Sequence, residues 1–232
     1  MRQALLLLAD SRLPAGAHAH SGGIAPAVDA GLVEHDLALV ADFLRGRLHT
    51  AGLLAAAIAA RSCHLATAYS PAGAASGTGS TGAWAELDGE VDARTPAPEQ
   101  RKVSRAQGRA LLRVARRAFP HPGYDALGTH PHHPIALGVA VHAAGGTPEE
   151  AASVAVASAI SGPASAAVRL LGLDPLALTA AHAALAPMAD AVVADAARYA
   201  DKPSDALPAP SAPLLDLLAQ AHARSEVRLF AS

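Results

Sequence analysis

A single cysteine, Cys63, excludes an intrachain disulfide and any metal centre built from several thiolates, and it suits a reducing compartment. Aromatic residues are scarce: Trp84, three tyrosines and three phenylalanines in 232 residues. Strands draw on aromatic and β-branched side chains, whereas the apolar half of this chain is mostly Ala, Leu and Val, so packed helices are favoured over sheet. An excess of either charge is also lacking. A formal net charge of −2 leaves no global field to steer the chain to nucleic acid or a membrane surface. Long uninterrupted hydrophobic runs are the last absence. The stretch Ala4 to Ala9, with Arg2 ahead and Ala17-His18-Ala19 behind, imitates a secretory signal, but Asp10 and Arg12 cut it short, and a buried first helix is the better reading. Residues 151–168 carry no formal charge, yet they are rich in Ala, Ser and Gly and contain Pro163. They read as a core helix.

What the chain does have is clear helix punctuation. Thr95-Pro96, Thr147-Pro148 and Asp174-Pro175 each put a capping side chain before a proline at the first helical position, and Glu150 completes a capping box with Thr147. These signals predict helices at about 4–9, 24–30, 36–68, 84–91, 96–118, 134–144, 148–171, 175–200 and 213–227. Gly52 is expected to bend the long early helix, and Gly162-Pro163 and Pro187 to kink or split two later ones. No segment alternates at the strand period. The expected fold is therefore all-α, one bundle-like domain of about nine helices over 1–232. The Gly/Ser/Thr-rich residues 70–82 read as a flexible loop, and the four prolines within 201–213 as an extended linker before the last helix.

Motifs for phosphate loops, nucleophile elbows, metalloprotease helices and dinucleotide folds are absent. Histidines are the main candidates for chemistry. His18 and His20 lie two apart in a Gly-rich loop and could share an ion, as could the 130–133 tract. A tight site needs three or four ligands, however, and no acid lies between Arg12 and Val28. A packed or solvated loop histidine competes with the metal reading in both places. A helical metal-dependent hydrolase using these histidines, or a ligand-sensing regulator, are the alternatives to an adaptor.

The segment after Thr95 is strongly basic. Arg101, Lys102, Arg105, Arg109, Arg113, Arg116 and Arg117 are seven of the eighteen basic residues, with Glu99 the only acid close by in sequence. Placed opposite an apolar stripe running from Val103 to Ala118, they suggest a solvated face that meets an acidic partner, with Leu112 projecting among them. Arg105, Arg109, Leu112 and Arg113 are the expected contacts, and reversing the three arginines should leave the fold intact. Gly108 costs about 1 kcal/mol mid-helix and suggests a close backbone approach. At the C-terminus, Arg228, Leu229 and Phe230 offer a compact docking peptide.

The string Leu8-Ala9-Asp10-Ser11-Arg12-Leu13-Pro14-Ala15-Gly16, continuing at His20-Ser21-Gly22-Gly23-Ile24, resembles the opening of the urease accessory protein UreF family. Ser104, Gly108 and Leu111-Leu112, then His222 and the terminal Arg228-Leu229-Phe230-Ala231-Ser232, match in the same order, in a form closest to actinobacterial members. Ala25 departs from the acidic residue usual there. The resemblance implies a cytoplasmic, non-catalytic, dimeric chaperone without a tightly bound cofactor. It would join a UreD/UreH-type protein and the GTPase UreG on urease apoprotein, the assembly handling nickel and GTP.

Overall fold

The computed structural model describes residues 3–10, 12–15, 20–69 and 79–224, of which 79–81 by backbone only. Among them eleven α-helices and no strand occur: α1 Gln3–Ala9, α2 Ile24–Asp29, α3 Leu37–Arg47, α4 Leu53–Ala66, α5 Gly79–Ala93, α6 Pro98–Ala118, α7 His133–Ala143, α8 Pro148–Leu171, α9 Pro175–Ala184, α10 Ala186–Ala197 and α11 Pro213–Ala223. The all-α expectation holds. The caps form as read: Asp174 accepts from Leu176 N–H, and Thr147 and Glu150 close a reciprocal capping box. Thr95 is the exception, since α6 starts at Pro98 with Ala97 at its cap.

At the centre α4 packs between α7 and α8, with α6 against α7 and α10 against α4 and α8. Small residues set these distances. A Cβ on Gly138 of α7 would lie 2.3 Å from the Ala59 carbonyl oxygen and 2.8 Å from the Cys63 nitrogen of α4. The two backbones therefore touch, and Ser62 donates to the Ile135 carbonyl across the contact at 2.7 Å. Cys63 itself is buried, and burial pushes its thiol up to about 12, which leaves it inert. Leu37–Tyr69 and Pro148–Leu171 are long and apolar enough to cross a membrane, but 56% and 50% of their most apolar windows are buried inside the fold, as core helices require.

The expected breaks fall unevenly. Pro187 does divide the 175–200 segment, with α9 and α10 bent by 48°. At Gly52, where a bend is expected, the helix continues and α3 runs into α4 through one π-helical turn, Leu48–Gly52. Pro163 sits inside an unbroken α8. Having no N–H, it leaves the Ala159 carbonyl without its helical donor, and Arg47 fills the gap: its Nε donates to Ala159 O at 3.1 Å. The helix expected from residue 84 begins at Gly79, and residues 70–78 of the expected loop lie outside the described residues. The Pro-rich strap is held down rather than free. Arg94 donates to the carbonyls of Asp205, Leu207 and Pro208. Beyond it α11 buries Leu218 and Ala219, and its buried His222 meets Asp29 of α2 at 3.1 Å, so the last helix is part of the packed body.

Candidate functional site

The basic helix α6 does not present its charges to solvent in one block. Arg105 turns toward α5 and bonds Asp88 through both terminal nitrogens at 3.1 and 2.7 Å, Asp92 at 2.8 Å and the His130 carbonyl at 2.9 Å. His132, fully buried, places Nε2 2.9 Å from Asp92 and Nδ1 3.0 Å from the Ser104 hydroxyl. Burial, then the nearby Arg105 charge, lowers the pKa of His132, with Asp92 and Asp88 only partly opposing. The ring is thus neutral, with Nε2–H donating to Asp92 and Nδ1 accepting from Ser104. Burial works against ionisation of Asp92, yet hydrogen bonds from His132 and Arg105 outweigh it and keep its pKa below the ordinary carboxylate value. Asp88, Asp92 and His132 offer ligand atoms within 4.8 Å of one another, a metal-like spacing. The Arg105 guanidinium already bonds both carboxylates, so the cluster is a closed polar network joining α5, α6 and the start of α7. Gly108 permits it. A Cβ there would lie 2.0 Å from the Pro131 carbonyl oxygen, so the 131–133 backbone rests directly on α6, the close approach its mid-helix position suggested.

These contacts correct the reading of the basic face. Leu112 is 6% exposed and packs inward with Gly108, Leu111 and Ala115, whereas Ala106 and Ala118 of the supposed apolar stripe are exposed. Alanines fit either face, and the bulky leucines together with the glycine contact set the true phase. Arg105 is bound within the fold and cannot be reversed harmlessly. Arg116 pairs with Asp125 at 2.7 Å and stacks over Tyr124; Arg101 caps the Thr95 and Pro96 carbonyls. What remains exposed and without an acid among the described residues is Arg109, Arg113 and Arg117, one stripe at i, i+4 and i+8.

The histidines of the 130–133 tract go to different places. His130 is exposed and bonds Thr129, His132 belongs to the network above, and His133 lines two cavities of about 410 and 470 Å³. His18 lies outside the described residues, as do Arg228, Leu229 and Phe230. His20 lines the larger cavity close to His133, whose pKa falls to about 4 through burial and then the neighbouring His20. The two cavities share a wall that includes Gly22, Arg47, Ala51, Ala55, Gln107 and His133.

Similarity to known proteins decides the family. The UreF family model matches residues 35–186. The urease accessory protein UreF of Mycolicibacterium vanbaalenii is 44% identical over 228 residues, that of Mycobacterium sp. strain JLS 46% and that of Mycobacterium tuberculosis 41%, each alignment spanning 98% of this chain and 97% of the relative. The chain belongs to the UreF family. As a UreF-family member it is a urease maturation factor, and its partnership is with the urease maturation complex. The UreF-like residues Gly22, Gly23 and Ile24 form the turn into α2, where Ala25, at the position usually acidic in UreF, is 3% exposed in the core. Ser104, Gly108, Leu111 and Leu112 of the UreF-like middle motif are the α6 residues that seat α7.

Arg47, absent from the site residues expected from sequence, is the principal addition of the fold. Within the described residues its side chain makes one hydrogen bond, to Ala159, which lies 112 positions away in the chain. Local sequence carries half of that signal: Pro163 announces an orphaned carbonyl at position 159, but nothing nearby names its donor.

Proposed function

We propose that this chain is a non-catalytic cytoplasmic adaptor, dimeric in action, that joins a UreD/UreH-type accessory protein and the GTPase UreG to urease apoprotein during nickel insertion. The observation that carries this reading is the similarity to UreF proteins over 98% of this chain. The geometry adds a surface suited to it. Arg109, Arg113 and Arg117 form an exposed stripe on a helix whose other arginines are engaged internally, so this stripe is the part of α6 available to an acidic partner. Nickel and GTP belong to the assembly as cargo and fuel, with no resident cofactor in this chain.

Co-purification of the full chain with UreD, UreG and urease apoprotein tests the reading, alongside the triple variant Arg109→Glu/Arg113→Glu/Arg117→Glu. The wild type should recover the partners and activate urease in cells lacking their own UreF. The variant should melt within about 0.5 kcal/mol of wild type, because exposed charges contribute little to stability, but bind the partners more weakly. Wild-type binding should also fall as salt rises. Failure to recover any of these partners would overturn the adaptor assignment. Recovery indifferent to both salt and the variant would remove the stripe from it.

A further inference from the structure

Among the described residues Arg47 is a recessed cation without a counter-ion: no carboxylate there comes within ion-pair distance of it, and its terminal nitrogens make no hydrogen bond to them. It keeps some accessible surface, where it faces the two cavities, yet it is packed deeply enough that burial draws its pKa down to about 10. The acids of the cavity walls do not serve it. Asp10, lining the larger cavity, is bound by Arg12 at 2.7 Å, and Asp216, lining the smaller, makes no ion pair with Arg47. Arg94, the other arginine of the smaller cavity, is committed to Glu90 and the strap carbonyls.

The surroundings are shaped around the guanidinium. Arg47 immediately precedes the π-helical turn Leu48–Gly52, a widened turn of a kind that often marks functional positions. Gly22, with φ of 60°, passes close by; a Cβ there would sit 3.3 Å from Arg47 Cζ and 2.7 Å from Pro163 Cγ. Gln107 and the neutral His133 stand in the same wall. The volumes of about 410 and 470 Å³ are of small-ligand size.

We propose that the wall around Arg47 binds a small free oxyanion of carboxylate or phosphate type, held by the Nη1 and Nη2 donors of Arg47 beside Gln107 and His133. A planar guanidinium fork matches two oxygens of such an anion, and the charge-assisted bonds would offset the cost of keeping a lone cation out of water. The Nε–H to Ala159 fixes the plane of the fork and leaves the outer donors for the ligand. Bound there, the anion would brace the turn at Gly22 against α3 and α8. This inference is independent of the urease adaptor role and is read by binding alone.

Isothermal titration of the full chain with sodium phosphate and with sodium acetate, against sodium chloride at matched ionic strength, tests it. Saturable binding of one anion per chain is expected for at least one of the two. Arg47→Gln should weaken it at least about tenfold, and the exposed Arg198→Gln should leave it unchanged. No saturable binding of either anion, or binding that survives Arg47→Gln or is lost equally in Arg198→Gln, overturns the proposal. Should Arg47→Gln fail to fold, wild-type crystals soaked in selenate decide the matter. An anomalous peak within hydrogen-bond distance of the Arg47 guanidinium supports the site, and peaks confined to exposed arginines overturn it.

Discussion

Arg105 and Arg47 each tie one helix to another, and they are satisfied in opposite ways. Arg105 is ringed by two carboxylates and a carbonyl, with a neutral histidine locking one carboxylate in place. Arg47 has one backbone carbonyl and a cavity. The first arrangement is closed: both terminal nitrogens of Arg105 and all four carboxylate oxygens of Asp88 and Asp92 are engaged. The second is open, with charge and donors in excess of what the fold uses. Two recessed arginines of one chain thus differ in what faces them, one held between helices by acids and the other turned toward a cavity.

The contrast can be broken first at its tightest contact. Gly108→Ala would push 131–133 off α6 and pull His132 away from Asp92, costing about 3 kcal/mol in urea unfolding. A loss below about 1 kcal/mol would show that the backbone moves aside easily and that the network does not depend on this approach. Acid should weaken both regions. Folded His133 titrates near 4 and His132 below its ordinary 6.5, so the folded state binds fewer protons than the unfolded chain. Their contribution is complete above about pH 6.5 and is lost as pH falls toward about 4, amounting to roughly 3 kcal/mol for His133 alone. Melting curves across that range check it, and His133→Gln should flatten the slope.

Arg105→Ala should cost about 2–3 kcal/mol, because Asp88 would lose its arginine partner and Asp92 would keep only His132 and the more distant Arg101. Their partial exposure, 33% and 42% at the side chain, keeps this below the figure for a fully buried pair. Arg47→Ala should cost only about 1 kcal/mol, the loss of one hydrogen bond to Ala159 offset by relief of a recessed charge. Urea midpoints for the two variants sharpen the comparison directly. If Arg47→Ala proves the more damaging, Arg47 is a structural clasp and the division between the two arginines fails.

Much of the fold was legible because helix ends are local. Capping side chains and prolines at the first turn depend on a few neighbouring residues, and the starts of α8 and α9 follow them closely. The phase of α6 was harder. Alanine at 106, 110 and 118 supports either face, so a helical wheel could not tell that Leu112 points in and that Arg105 bends toward acids on α5. The strap at 201–213 reads as an extended linker in composition, yet Arg94, in the turn just after α5, pins it.

The sequence by itself determined the helices, the family and the basic character of α6, since each is written in local spacing or in a contiguous motif. Only the tertiary structure decided which charges are available. Asp88 lies 17 positions from Arg105, Ala159 lies 112 from Arg47, and the polar group that satisfies or abandons an arginine is chosen by helix packing. A cation's function depends on what stands opposite it, and in this chain that is set by contacts between helices far apart in sequence.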